Sequence, residues 1–190
     1  MANYEMHWQF AGEEKTYSDI ETVFGKYSGE NMMFFDCHNV MDCPIIAKTI
    51  QLWLKTSQYT TQIIPVMLSF IGIENTDLQN QVLKMAGKCG MLCVVVYKKH
   101  HKALIMNKAR SAGVGVLGLV DDQLANLDPA WKMKINVVLC TISAPQKTKY
   151  QDEKVAMQYL HDNTEGFFLA RTVPELETCL DFLTENAQPY

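Results

Sequence analysis

The stretch MMFFDCHNVMDCPIIAKTIQLWLKTSQYTTQIIPVMLS, residues 32–69, decides the fold. It opens with a short apolar run, Met32–Asp36, that ends on a carboxylate. Pro44 then begins IIAKTIQLWLKTS, in which Ile46, Ile50, Trp53 and Leu54 recur at helical spacing and so share one face. Proline suits the first helical position, where its missing N–H costs nothing. A second apolar run, Ile63–Ser69, follows, with Pro65 hinting at an irregularity near its start. Strand, helix, strand in this order is a βαβ unit, and it implies parallel strands.

The same alternation continues to the C-terminus. Thr76–Gln79 has the spacing of a capping box before Leu78, Val82 and Met85, with Gly87 as a stop signal. Leu92–Tyr97 (LCVVVY) is a β-branched run, Ala103–Ala112 a modest helix, and Val114–Asp121 (VGVLGLVD) a run closed again by acid. A helix at Leu124–Trp131, a strand at Ile135–Ile142, a helix at Val155–His161, a strand at Gly166–Ala170 and a helix at Pro174–Glu185 complete the series. The expected fold is a three-layer, Rossmann-like α/β domain over residues 31–190, with a mainly parallel central sheet of five to six strands. Nearly continuous apolar strands agree, because such a sheet is covered on both faces. Residues 1–30 break the pattern: aromatics mixed with charges and Gly12 read as an arm or weak hairpin, in which Ser18 or Asp19 caps a short helix through Phe24.

Composition narrows the class. A chain of 190 residues suits one domain and can bury roughly 70% of the surface its unfolded form exposes. Apolar residues at 48% and charged residues at 20% are ordinary for a globular protein, and the net charge of −4 gives no reason to expect a polyanionic partner. No run reaches the roughly 18 apolar residues of a membrane span, and the N-terminus lacks a secretory pattern. The six cysteines fall mostly inside apolar runs and read as buried, reduced thiols, which fits a cytoplasmic location. Cys89 and Cys93 lack the second ligand pair that a zinc site needs.

In parallel sheets ligands bind beyond the carboxyl ends of the strands. The residues there are Asp36, Ser69, Lys98–Lys102 and Asp121–Asp122. Each alone reads as a helix cap. Together they place acids, a hydroxyl and a lysine on one rim, a donor set suited to a hard cation and a phosphate.

FFDCHNVMDC (Phe34–Cys43) resembles the first motif of the haloacid dehalogenase (HAD)-like hydrolases, an apolar strand leading into Asp-x-Asp-Gly-(Thr/Val)-(Leu)-x-Asp. Asp36 falls on the nucleophile, Val40 on the Thr/Val position and Asp42 on the trailing Asp. Ser69 matches the second motif, and VLGLVDDQLANL (Val116–Leu127) the fourth, a strand ending in paired acids. The third motif is a lysine: Lys102 opens its helix at the rim and is preferred, with Lys99 second, whereas Lys108 lies toward the helix end that points away. The resemblance covers Phe34 to about Ile142 and implies a capless, magnesium-dependent phosphohydrolase. In it Asp36 forms an aspartyl-phosphate, Ser69 and Lys102 serve the phosphoryl group, and Asp36, Asp121, Asp122 and the backbone carbonyl of His38 hold Mg2+.

Two departures stand out. His38 replaces the second Asp, the residue that protonates the leaving group, and Asn39 replaces the Gly. An imidazole can shuttle protons near neutrality; otherwise the chain is a degenerate HAD-like binding or assembly domain, whose 11 methionines and 6 cysteines would furnish adaptable surfaces. A capless site is open to solvent unless a protein partner or a second copy covers it, and openness suits a bulky phosphorylated substrate. Asp36 and Asn39 also resemble the opening Asp-x-x-Asn of PIN/NYN-like metal ribonucleases, with Asp121–Asp122 as later ligands. The Ser-Gly-Asp-x-Asp run common there has no counterpart, and a net negative charge is a poor start for binding RNA.

Overall fold

The computed structural model describes residues 8–11, 14–57, 62–72, 75–96, 98, 101–185 and 187. Fifteen elements follow in order: β1 (Trp8–Ala11), α1 (Glu14–Gly25), β2 (Asn31–Phe35), a wide turn (Cys37–Met41), α2 (Pro44–Ser57), β3 (Ile63–Phe70), α3 (Thr76–Cys89), β4 (Leu92–Val96), α4 (His101–Ser111), β5 (Gly115–Asp121), α5 (Leu124–Lys132), β6 (Val137–Cys140), α6 (Gln146–His161), β7 (Phe167–Ala170) and α7 (Val173–Thr184). The strands form one seven-stranded sheet in the order β1-β4-β3-β2-β5-β6-β7, and every pairing is parallel. All six strands expected from residue 31 onward are present.

The sheet separates two apolar layers. One contains Ile20 and Phe24 of α1, Ala103 and Ile105 of α4, Leu127 of α5 and Ala156 of α6. The other contains Ile46 and Ile50 of α2, Val82 of α3 and Leu180 of α7. Order reverses at β2, which lies between β3 and β5, so the chain's two halves wind outward from it. That switch point is where α/β sheets of this kind hold ligands.

Four local expectations need correction. The segment before residue 30 is not a hairpin: Trp8–Ala11 pairs parallel to β4 in register Trp8 to Cys93, and α1 carries the chain back over the sheet. The helix there starts at Glu14, ahead of Ser18 and Asp19, and buries Ile20 and Phe24. In α3 the cap is Asn75, whose side chain accepts from Leu78 N, while Gln79 instead donates to the Gly72 carbonyl. Gly87 stays inside α3, and the stop falls at Gly90, whose φ of 65° is the left-handed conformation that ends helices. Pro65 is tolerated because the β4 side of β3 begins pairing only at Val66.

Candidate active site

Side-chain alternation along β2 and β5 sets the site. Phe34 and Leu119 both face the layer under α4 and α5, so Asp36 and Asp121, two residues further on, emerge on that same side. A register irregularity between Met32 and Met33 of β2, opposite Val116 and Gly118, brings the two strands into this phase. The Asp36 N–H still donates to the Val120 carbonyl at 2.9 Å, locking the two strand ends together.

Lys102, in the first turn of α4, reaches across to both acids. Its Nζ lies 2.7 Å from Asp36 Oδ1 and 2.7 Å from Asp121 Oδ2, and its side chain is 1% exposed. Asp121 also accepts from Gln123 N and Asn126 Nδ2 through Oδ1. Asp122 accepts from Asn39 Nδ2 at 3.0 Å. Each of Asp36, Asp121 and Asp122 offers one carboxylate oxygen within 4.8 Å of the others.

The electrostatics follow from crowding. Burial, then the Asp121 charge, pushes the Asp36 carboxyl from 3.8 to about 8, although Lys102 pulls the other way. Burial and Asp121 raise Asp122 from 3.8 to about 6. Burial disfavours the Lys102 charge, but Asp121 and Asp36 outweigh it and hold the ammonium above its ordinary value. The nearby thiol is inert: burial, then Asp36, pushes Cys37 up to about 12.

The approach to this cluster is a cleft of about 250 Å³ lined by Asp36, His38, Ser69, Phe70, Lys102, Asp122, Gln123 and Asn126. A wide turn forms one side. Met41 N reaches Asp36 O and Asp42 N reaches Cys37 O, each five residues back, so the chain loops out before α2 begins. Asn39 at the apex has φ 58° and ψ 11°, a left-handed conformation that Asn tolerates better than most residues. His38 beside it is 78% exposed, with Nδ1 3.2 Å from Asp42 Oδ2.

The structure thus brings together Asp36, Ser69, Lys102, Asp121 and Asp122 at one rim. The His38 imidazole stands at the mouth, apart from the carboxylates. Lys108 pairs with Glu21 on the surface, and Lys99 lies outside the described residues. Asn39, which the sequence marks as a departure from one motif and a match to another, ties the first acidic loop to the second. One participant escaped the sequence reading: Asn126, 6% exposed in the first turn of α5, bonds Asp121 while its Oδ1 is buried with no partner among the described residues. Its spacing four residues after Asp122 was the signal. Comparison with protein-family models, curated proteins and solved structures finds no match to this chain. No helix among the described residues is long and apolar enough to cross a membrane.

Proposed function

We propose that the chain is a magnesium-dependent phosphohydrolase of the HAD-like type, working through an aspartyl-phosphate on Asp36. The observation that carries this reading is a buried lysine bonded to two of three clustered carboxylates at the base of a cleft. Three carboxylates against one ammonium leave net negative charge, and the unpartnered Asn126 Oδ1 lies beside them. That set fits a hard divalent cation held by Asp36, Asp121 and Asp122. When bound, Mg2+ supplies positive charge against the phosphoryl oxygens.

The remaining roles belong to the chain. Lys102 holds Asp36 through Oδ1, and among the described residues no donor engages Oδ2, which is the oxygen left to attack phosphorus. Ser69, 3% exposed on the cleft wall, offers a hydroxyl to a phosphoryl oxygen. His38, oriented by Asp42, gives a proton to the departing oxygen and then takes one from the water that cleaves the acyl phosphate. Trapping labelled phosphate on Asp36 during turnover tests the reading. Label should stay on denatured wild type and be absent from Asp36→Asn; turnover without label on either would overturn the covalent route.

A second reading, a PIN/NYN-like metal nuclease, draws support from the Asn39–Asp122 hydrogen bond, which links the Asp-x-x-Asn run to the later acids. Magnesium-dependent cleavage of RNA, lost in Asp36→Asn, with no phosphomonoesterase activity would favour it. Inactivity in both assays would favour a binding or assembly domain that keeps only the cradle.

A further inference from the structure

We infer that the outer face of α2 and α7 is an interaction surface for a second copy of this chain, in a two-fold dimer that sets α2 of each copy on α7 of the other. The inference is independent of the chemistry proposed for the cleft. Both helices cover the same face of the sheet and lie side by side, with Trp53 Nε1 of α2 donating to Asp181 Oδ1 of α7 at 2.8 Å. Each follows a strand of a parallel sheet, so both start at the carboxyl rim and run back in the same direction. α2 buries Ile46, Ile50, Trp53 and Leu54 and turns Ile45, Lys48, Leu52 and Lys55 outward. At about 100° per residue, Ile45 and Leu52 form one ridge, and Lys48 and Lys55 a second about 60° further round. The aliphatic ridge is the one nearer Trp53, and therefore nearer α7.

Ile45 is 56% and Leu52 62% exposed, an apolar ridge open along its length. Charge identifies what covers it. α2 carries Lys48 and Lys55 and no acid, whereas α7 carries Glu175, Glu177 and Asp181, then Glu185, and no base. Arg171 takes up Glu175, but Lys48, Lys55, Glu177 and Glu185 are exposed and without an ion pair among the described residues. Each helix thus carries charge that its oppositely charged neighbour in the same chain does not meet. The spacing suits a second copy. Lys48 lies four residues from the start of α2 and Glu177 four from the start of α7, and Lys55 and Glu185 follow at eleven and twelve. At about 1.5 Å per residue these levels agree to about 2 Å. A two-fold axis between the helices, parallel to them, brings Lys48 of one copy to Glu177 of the other and Lys55 to Glu185. The Ile45–Leu52 ridges of both copies then meet at the axis, in the self-complementary contact that two-fold symmetry requires. Setting α2 on α2 instead would oppose lysine to lysine.

Two helices of 14 and 12 residues present a face about 20 Å square. That is the small end for specific interfaces, so the expected Kd is about 1–100 μM. Sedimentation equilibrium of the full chain, from low micromolar to near-millimolar concentration, should show a monomer–dimer equilibrium that salt weakens severalfold, since exposed charges are screened. The acidic variant Lys48→Glu/Lys55→Glu and the basic variant Glu177→Lys/Glu185→Lys should each be monomeric, because each sets like charge against like. Mixed in equal amounts they should associate about as tightly as wild type, since both contacts return with their signs exchanged. All four positions are exposed, and circular dichroism checks that the variants fold. Leu52→Asn leaves charge untouched and should weaken the dimer at least about tenfold; with the salt series, it decides the matter should a charge variant not fold. A wild type monomeric throughout would overturn the proposal and leave the face to some other partner. Dimerisation that survives both charge variants or Leu52→Asn would place the contact elsewhere and overturn it too, as would a mixture that stays monomeric.

Discussion

Replacing Lys102 with methionine removes, among the described residues, the one cation bonded to Asp36 and Asp121 while keeping a long apolar stem in its place. Breaking a buried ion pair from one side costs about 3–5 kcal/mol, because the partner charges lose their compensation. The cost must depend on pH, and its sign follows from Asp36. Between about pH 4 and 8 the folded protein keeps a proton on Asp36 that the unfolded chain has released, so stability falls as pH rises through that window. The rise from 3.8 to about 8, at about 1.4 kcal/mol per pH unit, is worth about 6 kcal/mol in wild type. Asp122, raised to about 6, adds a smaller loss between about pH 4 and 6. Without Lys102 the attraction that opposes these rises is gone, and the decline continues above pH 8. Urea unfolding followed by circular dichroism, without divalent ions, at pH 4.5, 6 and 8 measures this. Lys102→Met should lose least at pH 4.5, where Asp36 and Asp122 are largely protonated, and about 3–5 kcal/mol at pH 8. A loss of equal size at pH 4.5 and pH 8 would refute the electrostatic account of the cluster.

Three other substitutions probe separate parts of the site. Asp122→Asn removes a charge that burial and the neighbouring Asp121 disfavour, so at pH 7 it should stabilise the metal-free protein by about 1–2 kcal/mol. The same change should weaken the rise in thermal midpoint that millimolar magnesium gives wild type, since a ligand stabilises only the state it binds; a midpoint unmoved by magnesium in wild type would count against a metal site. Asn39→Ala should cost about 1–2 kcal/mol in urea unfolding because alanine resists φ 58°, whereas Asn39→Gly should cost less. His38→Ala should leave stability within about 0.5 kcal/mol, as expected of an exposed side chain, yet lower turnover roughly 10²–10⁴-fold. Turnover that ignores this change would remove His38 from the reaction.

The sheet was legible because its strands are nearly unbroken apolar runs and the intervening helices are strongly periodic. The endings MMFFD and LGLVD announce buried parallel strands whose last residue meets solvent or a ligand. What hid was local or long-range. Trp8–Ala11 is only four residues long, and its partner β4 lies more than eighty positions away, so no neighbouring pattern marks it as an edge strand. The first two turns of α6, Gln146–Glu153, are polar throughout and look like loop; only Ala156 of that helix is buried. The choice of Lys102 over Lys108 followed from direction alone. A helix returning from the carboxyl rim carries its first turn at the site and its last turn away from it, and Lys108 indeed pairs with Glu21 on the surface.

The departure at Asn39 has a physical resolution of its own. A loop that leaves a strand at Asp36 and must start a helix at Pro44 turns through five-residue backbone bonds, and its apex residue takes a left-handed conformation. Glycine would fit there through backbone freedom alone. Asparagine fits at a small cost and adds what glycine lacks, an amide that donates to Asp122 at 3.0 Å. That bond draws the Asp122 carboxyl downward in pKa against burial and Asp121, and it fastens the loop after β2 to the loop after β5. Because the same turn presents His38 at the mouth and Asp42 behind it, Asn39 fixes the position of the imidazole relative to the acids. A glycine variant that keeps the backbone and loses the tether therefore separates the two functions of this residue. Its stability should stay close to wild type while the His38-dependent limb of the pH profile weakens, and an unchanged profile would show that the turn needs no anchor to Asp122.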